Sequence, residues 1–559
     1  MSNNRSRLEL TALDAIRARY GEAIGGRKLN LLRKLERTKL ASARAVLKLH
    51  EALAFLRAYP DDTMVLAQVE RILAGFDRRA DLRRFARALA NSGVAGTETR
   101  FRFFAQTAFW LAKRYPADLL VDWPELSAKQ EALLVRRLPL LAHFAETPGF
   151  DEAAFTLREW LSRMKAPGVG DGALLAQRFA AIDAEPFLKE VFYDEVDLPL
   201  VLRAARDAPS RTHAKFASTI HWQRGPLRHE RPDLRIALKA RPRVRAANER
   251  EGRELIRLAC EAMATRERDL DVFIYGDPRD VLLLDCGEGL VFAAIGFQPE
   301  RRLLLEAVYG FLTLKNGVPI GYVLNSALVG SAEIAYNIFE TYRGAEASYV
   351  YSWVLACVRH LFDVDAFTIF PYQLGHDNDE AIDSGAWWFY QKLGFRPRDK
   401  GALALMRQEL AWMRRRPAHR SSRATLLKLA EHNLYYFTGT ARTDIIGQVS
   451  LMNIGLAATR FVARNGRGDH SPEAALRFGL SSFALWSRSE RVAWARWAPL
   501  LLMARGVERW SVAERRAAVA VVRAKGGRRE SDFVRLFDRH RKLRAAILRI
   551  AEAGPSYRN

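Results

Sequence analysis

The stretch Arg343-Gly-Ala-Glu-Ala-Ser348 runs straight into a helix-forming segment, and that junction is where the chain can best hold an anion. A helix start offers backbone N–H groups that have no partner inside the helix, together with the positive end of the helix dipole. Arg343 adds a charge, and Gly344 lets a ligand come close to the backbone. Glu346 acts in the opposite sense. A carboxylate is itself favourable at a helix start by about 0.3–1 kcal/mol, so it competes with an anionic ligand for the same donors. Upstream, Glu333 and Asn337 share one face of a strand drawn through Glu333–Phe339, and alternation places Glu340 on the other. His376, in the polar loop Gly375-His-Asp-Asn-Asp-Glu380, is a candidate proton carrier near neutral pH.

Other reactive side chains form weaker patterns. His213, His221 and His229 recur every eight residues, a spacing that suits neither a helix face nor a zinc finger. Cys260, Cys286 and Cys357 are odd in number and far apart, which gives neither a disulfide framework nor a metal-ligand spacing. Gly287-Glu-Gly289 suits a turn between the strands Val281–Asp285 and Leu290–Phe297, but it opens no helix and completes no dinucleotide fingerprint.

The elements that must position the loop are legible around it. Asn316-Gly317 tolerates the positive φ angles of a tight turn, so Ala307–Leu314 and Pro319–Leu324 read as a hairpin. After the loop, Val350, Trp353, Val354, Cys357, Val358 and Leu361 recur at helical spacing. The remaining positions of that helix are mostly uncharged, which predicts burial on more than one side. Ala366–Pro371 reads as an inner strand, Gly385–Gly394 as a short aromatic helix, and Phe395-Arg-Pro397 as the start of a last strand.

Strands, loop, helix, strand, helix and strand, closed by Phe389-Tyr-Gln-Lys-Leu-Gly-Phe395, form an order that resembles the GNAT-type acetyltransferase superfamily over roughly 235–400. The closing run is the most specific part of the likeness. In the family the loop reads Arg or Gln, two variable residues, Gly, one variable residue, then Gly or Ala. Here Glu346 stands at the first small position and Ser348 at the second. The resemblance implies an acyl-coenzyme A N-acyltransferase that moves an acetyl group to an amine. By the same likeness, Arg343, Gly344, Ala345, Ala347 and Ser348 cradle the pyrophosphate of acetyl-CoA. The N–H of Ile338 faces the thioester oxygen, and Asn378 touches the cofactor. Glu333 is the base, with Glu340 as the alternative, and Tyr390 protonates the departing thiolate.

A chain of 559 residues is too long for one core. The reading is α+β and multi-domain. Helical residues 1–207 and a Pro-, Arg- and His-rich linker at 208–245 precede a GNAT-like mixed-sheet domain at 246–400, and a basic helical region follows at 401–559. Helices are expected at Ala41–Tyr59, Met64–Phe76, Leu82–Ala90 and Thr97–Arg114, with Arg27–Lys39 as a solvated charged face. Tyr59-Pro60 and Tyr115-Pro116 are similar breaks, since proline cannot continue a helix. From Ala402 onward helices return. No apolar run is long enough to span a bilayer, and the opening residues carry no apolar signal core. The cysteine usage points to the cytoplasm.

The net charge is +24. From Lys400 onward about 31 Lys and Arg face about 12 Asp and Glu. Apart from a general preference for Arg, this excess points to an anionic partner such as nucleic acid. A second reading follows, in which the central domain is a non-catalytic scaffold and the basic helices bind that partner. A third is aminoacyl transfer from a charged transfer RNA.

Overall fold

The structure, a computed structural model, describes residues 2–553. It forms two compact units. The first contains the chain up to Leu227, together with Leu255–Ile274 and the hairpin tip Lys315–Pro319. The second contains Arg228–Glu254, Tyr275–Leu314 and the chain from Ile320 onward.

The first unit is mainly helical around two apolar clusters. The helices Ala43–Ala58 and Thr63–Ala74 lie where period and proline placed them. The breaks at Tyr59 and Tyr115 are conformationally alike: each caps its helix at φ near −127° and −128°, with its N–H on Phe55 O or Leu111 O. Two expectations fail here. The helix expected over Thr97–Arg114 begins only at Ala105. Thr99–Phe101 is instead a strand that joins Leu119–Val121 on either side of Leu200–Leu202 in an antiparallel sheet. Within the charged run Arg27–Lys39, Lys28 is fully buried rather than solvated, with its ammonium 2.7 Å from Asp61 and 4.4 Å from the Tyr20 ring centre.

The second unit is α+β and is built on a nine-stranded mixed sheet among the described residues. Its strands are β1 (Arg243–Ala246), β2 (Gly276–Asp285), β3 (Leu290–Phe297), β4 (Ala307–Lys315), β5 (Val318–Leu328), β6 (Ser331–Ile338), β7 (Ala366–Ile369), β8 (Arg396–Pro397) and β9 (Leu434–Phe437). Their order across the sheet is β8-β9-β7-β6-β5-β4-β3-β2-β1. The β4–β5 turn has Asn316 and Gly317 at φ 50° and 77°, the left-handed values that Asn-Gly favours. β6 and β7 run parallel, joined by the helix Ala347–Phe362, most of whose residues from Val350 to Phe362 are buried. β9 departs from the helical reading of the chain after Ala402. Leu-Tyr-Tyr-Phe is a strong strand former, and it inserts antiparallel between β7 and β8.

Buried charges anchor the last helices to this sheet. The Tyr309 hydroxyl lies 2.9 and 2.7 Å from the two carboxylate oxygens of Asp280 on β2 and donates its proton there, and Asp280 also accepts from the Glu530 N–H (3.1 Å). Arg302 lies 3.6 Å from Asp280 and donates to the carbonyls of Lys525 and Gly527. The Lys525 ammonium is 2.5 Å from Glu530. All of these side chains are almost completely buried, so each needs its partner.

Candidate active site

β6 and β7 pair only at Ser331–Glu333, opposite Ala366–Thr368. β7 ends at Ile369 while β6 runs on to Ile338. The last residues of β6 therefore have a strand on the β5 side alone. Phe339 N–H donates to Ile320 O on β5 at 2.9 Å. Neighbouring residues of a strand turn their backbone groups to opposite edges, so the N–H and C=O of Ile338 point into the gap. The Ile338 carbonyl is taken there by Arg343 Nε at 3.2 Å.

The loop that follows makes one turn of 3-10 helix, Glu340–Tyr342, before the long helix starts at Ala347. Glu340 is therefore outside the strand, and the alternation that set it opposite Glu333 does not reach it. Arg343 is exposed and ion-paired with Glu380. Gly344 is exposed with open space where a Cβ would sit. Ala345 is buried, with its N–H on Tyr342 O at 3.0 Å. Ser348 is half-buried in the first helical turn.

Glu346 is 3% exposed. Its carboxylate accepts the Arg228 N–H at 3.2 Å and makes no capping hydrogen bond to the helix it precedes. Arg228 in turn lies 4.5 Å from the Tyr349 ring centre. Glu346 therefore does not cap the first-turn N–H groups of the helix it precedes.

The two faces of β6 carry different chemistry. Glu333, half-buried, faces the same way as Asn337, by alternation. Burial, with the nearby Glu306 charge adding to it, pushes the Glu333 carboxyl up to about 7. On the other face the Tyr336 hydroxyl donates to Ala347 O at 3.1 Å, and its ring centre is 5.0 Å from that of Tyr351. Tyr351 is 5.5 Å from Tyr390, which is buried beside Phe389 and Phe395. Burial holds the Tyr390 phenol above its ordinary range. The Tyr351 hydroxyl and Asn337 Oδ1 are buried with no hydrogen-bond partner among the described residues. Unsatisfied polar atoms in a folded core call for a reason, and these two lie on opposite faces of β6, Asn337 beside Glu333 and Tyr351 against Tyr336.

Two expected residues are committed locally. Asn378 caps the helix Asp379–Asp383 through Ala381 N–H (3.2 Å) and donates to Tyr372 O (3.0 Å). His376 is half exposed, 3.6 Å from Asp377. Arg228, Glu306, Tyr336 and Tyr351 were not singled out by the sequence reading. Arg228 and Glu306 are distant in the chain, and Tyr351 sits in a helix whose apolar character hides one polar tip. Among the described residues no group of three His, Cys, Asp or Glu could hold a metal ion.

No protein-family model, curated protein or solved structure matches the chain.

Proposed function

We propose that the second unit is a GNAT-like N-acyltransferase that takes acetyl-CoA or another acyl-CoA and an amine. The observation that carries this reading is the divergence of β6 from β7 beyond Glu333, which turns the Ile338 N–H into a gap just before a helix start without a side-chain cap. The residues fit the coenzyme in kind. Arg343, Gly344 and the N–H groups of Ala345, Ala347 and Ser348 would hold the pyrophosphate, with Glu346 occupied by Arg228. When bound, the coenzyme supplies the acyl group as a thioester.

The chain's own groups divide the remaining work. Glu333, with its carboxyl near 7, takes a proton from the amine at a pH where amines and carboxylates can exchange one. The Ile338 N–H is a fixed donor to a carbonyl oxygen that gains charge, a role worth about 3–4 kcal/mol of barrier in acyl transfer. The Tyr390 hydroxyl is protonated at neutral pH and is the group that gives a proton to the departing thiolate. Base and acid lie on opposite faces of β6, so the amine and the leaving group approach from opposite sides.

Calorimetric titration with coenzyme A is the direct test. Binding, and a rise in unfolding midpoint equivalent to about 2.7 kcal/mol at a hundredfold excess over Kd, is the expected result. No heat and no shift at millimolar coenzyme would remove the reading.

A further inference from the structure

A second site lies away from this gap, among the C-terminal helices. The helices Leu451–Asn465, Arg488–Met503 and Arg541–Glu552 enclose a cleft of about 760 Å³. Arg460 and Arg464, one turn apart on the first helix, line it together with Arg505 and Arg549. All four are exposed, and among the described residues none is ion-paired; Arg549 Nε donates only to Ala545 O, at 3.2 Å. Glu552 is the single carboxylate in the lining. Arg442 and Arg544, by contrast, share Asp444 nearby. Four like charges around one concavity repel one another unless an anion joins them.

Two other features narrow the anion. Asn453, 8% exposed, donates through Nδ2 to Ala551 O at 2.7 Å, and its Oδ1 has no partner among the described residues. That oxygen needs a donor, which a backbone phosphodiester does not supply and a nucleobase amino or imino group does. Phe461 lies half-buried in the lining, an apolar ring on which a base can stack. Guanidinium groups for phosphates, an amide acceptor and an aromatic face together are the parts of a nucleic-acid groove. The volume lies in the range of pockets for single small ligands, about 300–1,000 Å³, which suits a nucleotide or two of a flexible strand and not the width of a duplex. We infer that this cleft binds the sugar-phosphate backbone of a single-stranded nucleic acid, with Arg460, Arg464, Arg505 and Arg549 on phosphates and a base against Phe461 and Asn453.

Fluorescence anisotropy of the full chain with a labelled single-stranded 12-mer, as DNA and as RNA, tests this. Binding that weakens steeply with salt is expected. R460Q/R464Q lowers affinity at least about tenfold and reduces the log–log salt slope by about 1.4, since each phosphate contact on a single strand is worth about 0.7. Phe461→Ala lowers affinity about tenfold with the slope unchanged, because it removes stacking and no charge. R414Q/R415Q, elsewhere in the basic region, leaves both unchanged. Circular dichroism checks that each variant is folded, and if the double variant is not, R505Q and Phe461→Ala carry the comparison. The inference is overturned by absent binding, by an equal loss in R414Q/R415Q, or by an Arg460-sensitive affinity for ATP or phosphatidylserine vesicles that the strand lacks.

Discussion

Glu333 shows how one residue's surroundings can prepare it for chemistry. A carboxyl on a solvated strand is ionised far below neutral pH and is a feeble base. Burial raises Glu333 to about 7, where its ionised form is both present and able to take a proton. In the proposed role of base, Glu333 is protonated and idle below about 7 and ionised and active above it. The turnover rate is therefore expected to rise with pH to a plateau above 7. Glu333→Gln should remove that limb and lower the rate by about 10²–10⁴-fold; a variant that keeps the wild-type pH profile would relieve Glu333 of the role. Tyr390→Phe removes only the hydroxyl from a ring that stays packed against Tyr351 and Phe395. It is expected to slow turnover by a similar factor while coenzyme affinity in calorimetry stays within about twofold. Glu346 was legible as a departure in the loop, but its outcome was not. Arg228, which accepts the burden of that carboxylate, lies 118 positions away in the chain.

At the scale of elements, local chemistry was legible where the signal was local. Asn316-Gly317 announces its turn because few other pairs tolerate both left-handed angles. A Cβ on Gly317 would also stand 2.0 Å from Phe216 O within the first unit. Gly317→Ala is expected to cost at least about 1 kcal/mol in urea unfolding, through strain and displacement together. The helix Ala347–Phe362 and the capping box at Ser511 were readable for the same reason: period and cap chemistry sit within one or two turns. β9 was not, because four residues between helices carry too little period to separate a strand from an apolar helix end, and its partners are about 65 residues upstream in β7 and nearer in β8. The Lys525–Glu530 pair was equally hidden, since nothing in Lys-Gly-Gly-Arg-Arg-Glu says that both ends are buried. Lys525→Met leaves Glu530 without its countercharge in the interior. A loss of about 3–5 kcal/mol is expected, and a loss within error of zero would mean the pair contributes nothing to holding the last helices.

On the scale of the whole chain, two units with their own cores should answer acid differently. The second unit holds Asp280 and Asp538, both pushed up to about 6 by burial, and Glu333 at about 7. Their ordinary values are 3.8, 3.8 and 4.5. Between the ordinary and the raised values the folded state binds more protons than the unfolded chain, so stability falls as pH rises through that window. Acidification from pH 8 to pH 6 therefore returns part of it, against an opposing effect from His360, which burial lowers. In the first unit the balance differs. His50, fully buried beside Arg211 and Arg57, is held well below 6.5, so the unfolded chain takes a proton there that the folded state refuses, and stability falls as pH drops through 6.5. Asp269, at about 6, offsets part of that loss. Scanning calorimetry is expected to resolve two transitions, with the second unit's midpoint rising relative to the first's between pH 8 and pH 6. Asp280→Asn should flatten the response of the second transition alone. One transition whose calorimetric and van't Hoff enthalpies agree, or two that shift together, would mean that the buried carboxyls do not set the pH response of the unit they sit in.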